Sequence, residues 1–256
     1  MKGNWIEIVC CLCLLFHIIE TTALSAEFTP PSERQVVSSS FTVSANQKKV
    51  KIAFFDADST LRVAPSGTPA ANSATDVAIL PLLDKAIAKL EKKGYLIAIV
   101  SNQAGIEDGY VSFEDADNAL KLTISLLSKL GAHIHYYDFA ESRDYNRKPD
   151  IGMAKRLTDL IKKDFGKSVD WKNSIMVGDS GWKLGETEPD GTNGEDISNT
   201  DRIFAENAAK AYGSLKFIHP RDFFGWIKYG IKNFSNYKSL LSFIEQHPEF
   251  NPFPVK

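Results

Sequence analysis

Cysteine is almost missing: the 256-residue chain has three, Cys10, Cys11 and Cys13, and none beyond position 13. Past that point no disulfide framework and no thiolate metal site can be built. Positive charge is not in excess either. Thirty Lys and Arg against 32 Asp and Glu give a formal net charge of -2. A broad cationic face for a nucleic-acid backbone is thereby excluded, and any such contact has to be local, in a cleft or at a strand end. The apolar run from Ile8 to Ile19 is too short for a comfortable membrane span and is interrupted by His17. Internal repeats are absent, as is a small-residue pattern directly before a cysteine that would mark lipid attachment.

What is present describes a globular protein, with 43% hydrophobic and 24% charged residues. The length suits one α/β domain with sequence to spare at both ends. Residues 1–25 combine a weakly basic start, the short apolar run and a small-residue exit, which together read as a secretory signal peptide cleaved near Ser25 or Ala26. The expectation is therefore export, secreted or periplasmic, with no stable membrane association after cleavage. The alternative is an uncleaved anchor. Residues 26–48 are rich in Ser, Thr and Pro and read as a linker or mobile arm. Residues 49–222 form the expected domain, and 223–256 an aromatic-rich helical extension. Packing of a terminal helix on the domain is the plain reading of those aromatics, and a platform for stacking bases the sharper one. No obligate protein partner is evident.

Val50–Phe55, Leu96–Val100, Ile134–Tyr137 and Ser174–Val177 are short apolar runs, with Leu215–Ile218 a weaker one. Such runs suit strands buried on both faces of a parallel sheet. Between them, 80–93, 113–130, 151–165 and 201–212 carry apolar residues at helical spacing, each followed by Gly. Strands alternating with helices predict a Rossmann-like α/β fold, a parallel sheet with helices on both faces. Sites in such sheets form at the carboxyl ends of the strands.

The chemistry-bearing residues stand there. Asp56 and Asp58 follow the first run, Ser101-Asn102-Gln103 the second, Arg147-Lys148-Pro149 opens a helix, Gly178-Asp179 follows a later run, and Asp201 begins the helix beyond it. Singly, each has a bland reading: a strand-capping turn, an ordinary strand-to-helix turn, a solvated lysine. Together, Asp-x-Asp-x-Thr, Ser-Asn-Gln, Arg-Lys-Pro and Gly-Asp resemble the haloacid-dehalogenase phosphatase superfamily in order and spacing. The stretches 146–153 and 196–207 resemble more narrowly the 3′-phosphatase domain of polynucleotide kinase/phosphatases. Nothing here reads Gly-x-x-x-x-Gly-Lys-Ser/Thr, so 5′ phosphorylation is not expected.

The resemblance implies a Mg²⁺-dependent phosphatase in which Asp56 is the nucleophile and Asp58 the acid and base. Mg²⁺ would be held by Asp56, the main-chain carbonyl of Asp58, Asp179 and, directly or through water, Asp201. Ser101 and Lys148 would bind the transferring oxygens, with Asn102 and Arg147 also on the substrate, a nucleic-acid 3′ end. In this family Gly usually stands where the chain has Ser59. Histidinol-phosphate and heptose-bisphosphate phosphatases share Arg-Lys-Pro but usually carry a cysteine-rich zinc loop that this chain lacks. A small-molecule phosphatase and a catalytically idle binding module are the competing readings.

Residues 61–76 are expected to form a flap over the site, too short for a separate cap domain. Trp182 is a further candidate for strand contact. His133 and His135 read as structural, since zinc would need more ligands. Asn233-Phe234-Ser235 fits a glycosylation acceptor, a triplet that is frequent by chance.

Overall fold

Apolar side chains on both faces of successive strands leave the chain no way to bury them except in the middle layer of a three-layer stack. The computed structural model, which describes residues 41–43 and 46–253, is built that way. The predicted signal segment and most of the predicted linker lie outside the described residues. The elements run β1 (Lys49–Phe55), β2 (Arg62–Val63), β3 (Ala78–Ile79), α1 (Leu83–Lys92), β4 (Tyr95–Asn102), α2 (Phe113–Lys129), β5 (Tyr136–Ala140), α3 (Gly152–Phe165), β6 (Ser168–Val169), β7 (Ile175–Val177), α4 (Thr200–Tyr212), β8 (Lys216–Ile218), α5 (Pro220–Phe223) and α6 (Tyr237–Gln246).

The main sheet is parallel with strand order β5-β4-β1-β7-β8, and β6 pairs with the start of β1. The chain builds outward from β1 to one side, then returns to β7 and builds to the other. The order therefore reverses between β1 and β7, where the carboxyl ends open a crevice. Val50, Ile52 and Phe54 of β1 enter one core with α3 and α4. Ala53 and Phe55 enter the other, with α1, α2 and the C-terminal segment. Glycines in the left-handed conformation, Gly166 (φ 63°) and Gly213 (φ 97°), stop α3 and α4.

The predicted third strand begins two residues late and ends three residues late, at Tyr136–Ala140. Asp138 sits fully buried in its middle. The charge is met by Arg156 of α3 at 2.8 Å, a compensation that hydropathy along the strand does not register. His135 is also buried, its Nδ1 accepting from the Ile97 N–H at 2.9 Å, and burial lowers its pKa. His133 is half exposed and bonds Glu91. Both are structural. At the end of the predicted linker, Phe41 packs its ring on His135 and Phe165, with centroids 5.0 and 5.8 Å apart.

The aromatic-rich tail lies on the domain's core rather than apart from it. Phe224, Trp226, Phe234 and Phe243 are buried with Phe55 and the helices of that face, so these rings cannot stack on bases. Trp226 is fully enclosed, donates from Nε1 to the Pro81 carbonyl at 3.0 Å, and meets Phe234 edge-on at 4.8 Å. Trp226→Ala is expected to lower unfolding stability by about 3–5 kcal/mol. Chemical denaturation would check it, and a loss under about 1 kcal/mol would mean the tail is not part of the folding unit.

Candidate active site

Asp56 leaves β1 at its carboxyl end, its N–H donating to the Val177 carbonyl of β7 at 2.9 Å. That bond ties the two strands together at the reversal point. The turn that follows is tight: Leu61 N–H and Arg62 N–H both donate to the Ala57 carbonyl, at 2.9 and 3.1 Å, and Ser59 N–H to the Arg62 carbonyl at 2.7 Å. Ser59 takes φ 59°, the left-handed region. The place where the family usually has Gly does require that conformation, and Ser adopts it at a modest cost of about 1–2 kcal/mol. Thr60 joins this turn to the other strand end, accepting from the Asp179 N–H at 3.1 Å.

Four motifs from distant parts of the chain meet here. Lys148 Nζ lies 2.6 Å from Asp56 Oδ1 and 2.7 Å from Asp201 Oδ1, and its side chain is 1% exposed. Oxygens of Asp56, Asp179 and Asp201 all lie within 4.8 Å of one another. The approach of Asp201 depends on Gly178: a Cβ there would stand 2.2 Å from Asp201 Oδ2. Ser180 N–H donates to that same oxygen at 3.1 Å.

Three carboxylates around one lysine are under-compensated. Burial pushes Asp56 up to about 7, with Asp201 and Asp58 adding to the rise and Lys148 opposing it. Asp179 is likewise raised well above its usual value by burial and by Asp56 and Asp201. Lys148 is raised: burial works against its charge, but Asp201 and Asp56 outweigh it. A set of hard oxygen donors with unbalanced negative charge fits a divalent cation of the oxygen-preferring kind.

Of the residues expected to touch substrate, Arg147, Lys148 and Asn102 line the cleft over Asp56, a space of about 270 Å³. Asn102, however, spends its amide on Lys148, its Oδ1 accepting from the Lys148 N–H at 2.8 Å and its Nδ2 donating to the Lys148 carbonyl at 2.9 Å. Those two bonds position the lysine while Asn102 stays in the cleft lining. Ser101 is 1% exposed and accepts from Gln103 Nε2 at 2.9 Å, beneath the cleft floor. Trp182 stacks its edge on Phe217 and lies 5.8 Å from the Arg202 guanidinium, away from the cleft's lining.

Two residues were not singled out by sequence. Arg62, expected in the flap, is fully buried, donating from Nε to Asp58 Oδ1 at 2.9 Å and from Nη1 to Thr123 of α2 at 3.1 Å. Gln103 Nε2 donates to Asp58 Oδ2 at 2.8 Å. Between them they fix the Asp58 carboxylate. The signal was the arginine's position four residues after Asp58, which a loop assignment hid. The loop proper is 64–77, closed by Asp76, which accepts from Ser66 N–H and Oγ at 2.8 and 2.7 Å and from Asn72 N–H at 3.1 Å. Burial would raise Asp76, but these bonds hold it below its ordinary value. Pro69 and Ala70 of this loop reach the cleft, and no separate cap domain stands over it among the described residues.

The chain is 30% identical to an uncharacterized 20.8 kDa protein of Autographa californica nuclear polyhedrosis virus, over 72% of this chain and 90% of that one. It is 27% identical to a probable D-glycero-D-manno-heptose-1,7-bisphosphate 7-phosphatase of Thermoplasma acidophilum, over 52% and 81%. Among solved structures, the D,D-heptose 1.7-bisphosphate phosphatase of B. bronchiseptica, complexed with magnesium and phosphate, aligns with a TM-score of 0.42 and 20% identity, over 51% and 71%. A model of the family described as polynucleotide kinase 3 phosphatase matches residues 51–224. From β1 through the helix after β8, with Asp56, Lys148, Asp179 and Asp201 inside the match, the chain belongs to that family and is a phosphatase of the haloacid-dehalogenase superfamily.

Proposed function

We propose that this phosphatase removes the 3′-phosphate from polynucleotide ends through an aspartyl-phosphate on Asp56, with Mg²⁺ as cofactor. The observation that carries the reading is the convergence of Asp56, Asp179 and Asp201 on one point beside Lys148. The open cleft, edged by the tethered loop 64–77 and with no separate cap domain among the described residues, suits the end of a polymer.

Asp56 carboxylate oxygen attacks phosphorus as the bond from phosphorus to the sugar oxygen breaks, and Asp58 gives that oxygen its proton. Water then attacks the phosphorus of the aspartyl-phosphate. Asp58 takes the water's proton, inorganic phosphate leaves and Asp56 is restored. Arg62 and Gln103 keep Asp58 aimed throughout. Lys148 holds the nucleophile and balances part of the negative charge. Asp56, Asp179 and the Asp58 carbonyl would hold Mg²⁺, which supplies the positive charge that lets an anion approach a phosphate. Both oxygens of Asp201 are already engaged, by Lys148 and Ser180, so its role is through water or as fixed charge.

A small phosphorylated metabolite is the second reading, favoured by the name of the Thermoplasma relative. Phosphate release with Mg²⁺ is expected to be fastest from a 3′-phosphorylated oligonucleotide, against its 5′-phosphorylated counterpart, a nucleoside 3′-monophosphate and a sugar bisphosphate. Equal cleavage of the mononucleotide defeats the polymer-end reading. Preference for the sugar bisphosphate supports the second. Asp56→Asn is expected to abolish turnover, whereas Lys148→Ala should cost on the order of 10²–10³ in rate. Inactivity on every substrate would leave an idle module.

Metal binding and proton binding compete at the same carboxylates. Because Asp56 rises from 3.8 to about 7 on folding, the metal-free folded chain holds more protons than the unfolded one between those values. Its stability therefore falls as pH rises through that window. The melting-temperature gain from added Mg²⁺ should accordingly be larger at pH 8 than at pH 5.5. An equal gain at both would place the cation elsewhere.

Export carried by residues 1–25 is also part of the proposal. Amino-terminal sequencing of protein recovered from the medium or periplasm should start near Ser25 or Ala26, and an intact Met1 would defeat it.

A further inference from the structure

Two side chains lining the cleft, besides the ion-paired Asp201, each carry a buried polar atom without a partner among the described residues. Asn233 Oδ1 and Arg147 Nη1 are shielded from solvent and have no hydrogen-bond partner among the described residues, and both residues line the space over Asp56. Unpaired buried polar atoms are uncommon, and a ligand that completes them is one physical reason for their presence. The main chain at Asn233 is held by its neighbour. The next residue, Phe234, is fully buried, with its ring 4.8 Å from Trp226 and 5.5 Å from Phe243. The core thus pins the backbone that points the amide, and Ser235 beyond it lines the same cleft.

A third contributor comes from the long insertion between β7 and α4. Ile197 lines the cleft and is 96% exposed. Yet its neighbour Asp196 is anchored, accepting from the Gly181 and Trp182 N–H groups at 2.9 and 2.8 Å and lying 3.4 Å from His219 Nε2. An apolar side chain held in solvent by an anchored main chain differs from one on a loose loop.

We propose that Asn233, with Ser235 and Ile197, receives the leaving group and takes the terminal nucleoside of a strand. The Asn233 amide nitrogen offers donors to a sugar hydroxyl or a base edge, Ser235 adds a hydroxyl, and Ile197 covers the apolar face of the sugar. The inference rests on the polynucleotide-end reading above. Asn233 and Ser235 lie outside the matched span 51–224, so this wall is built by the chain's own tail. The same placement argues against Asn233 as a glycan acceptor, since a sugar on its amide would fill the cleft.

The test uses the full chain with Mg²⁺ and two substrates, a 3′-phosphorylated oligonucleotide and p-nitrophenyl phosphate, which has no sugar or base. For Asn233→Ala, the ratio of kcat/KM for the oligonucleotide to that for the aryl phosphate is expected to fall roughly tenfold, mainly through KM. Ile197→Ala, at an exposed position where folding is not at stake, should lower the same ratio. A ratio unchanged in both variants, whether both activities fall together or neither falls, overturns the subsite. If the unaltered chain releases no phosphate from the oligonucleotide but acts on the aryl phosphate, the polynucleotide reading itself fails. That outcome needs no variant, so the two failures are distinguishable.

Discussion

Placing three carboxylates within reach of one another inside a protein is unfavourable, and the fold meets that cost by burying Lys148 among them. Its Nζ touches Asp56 and Asp201, from β1 and from the start of α4. The lysine reaches them because Asn102, at the end of β4, clamps its main chain by both amide and carbonyl. Removing the lysine from such a buried set costs about 3–5 kcal/mol, because the carboxylates are then left uncompensated. One cation is still too few for three anions, and a divalent ion is what would offset this residual imbalance. Structural support and the demand for a cofactor thus follow from the same electrostatic deficit.

Much of the sheet was legible because buried parallel strands have nothing to alternate with: β1 and β4 are near-continuous apolar runs, and the charged motifs begin where each run stops. The helices were legible from period and terminal glycine. Reading failed where polarity is neutralised by a partner distant in sequence. Asp138 in β5 looks like a strand end until Arg156 is placed beside it. Arg62 looks like a loop residue until its bonds to Asp58 and Thr123 are known. Asn102, which the resemblance puts on the substrate, lines the cleft, and its bonds to the main chain of Lys148 could not be read from the sequence. The Asp138–Arg156 and Arg62–Thr123 pairs span 18 and 61 positions, a separation that leaves no local trace.

The site divides into a floor and walls with different origins. The floor is made by the ends of β1, β4 and β7 and by the starts of the helices beyond, so its geometry is as rigid as the sheet. The walls come from loop 64–77, from the insertion and from the tail, none of which the sheet dictates. A floor of this type performs phosphoryl transfer on whatever ester is presented. Selection among esters would then fall to wall residues such as Pro69, Ala70, Ile197, Asn233 and Ser235, and the walls can vary without disturbing the chemistry beneath.

The insertion raises a physical question because it has no cysteine with which to fix itself by zinc or disulfide. Charge pairs do the work instead. Asp196 caps the turn at Gly181 and Trp182 and meets His219, Glu186 pairs with Arg202 of α4 at 3.0 Å, and Glu188 pairs with Arg221. The burial of Asp196 would raise its pKa, yet His219 and the two N–H donors hold it below the ordinary value. Single exposed ion pairs contribute little, but several that converge on one short segment restrict it together. A loop fixed by such a network keeps Ile197 at the lip of the cleft without a metal or an oxidised thiol. The wall that would select the substrate therefore stays in place whatever the redox state of the surroundings.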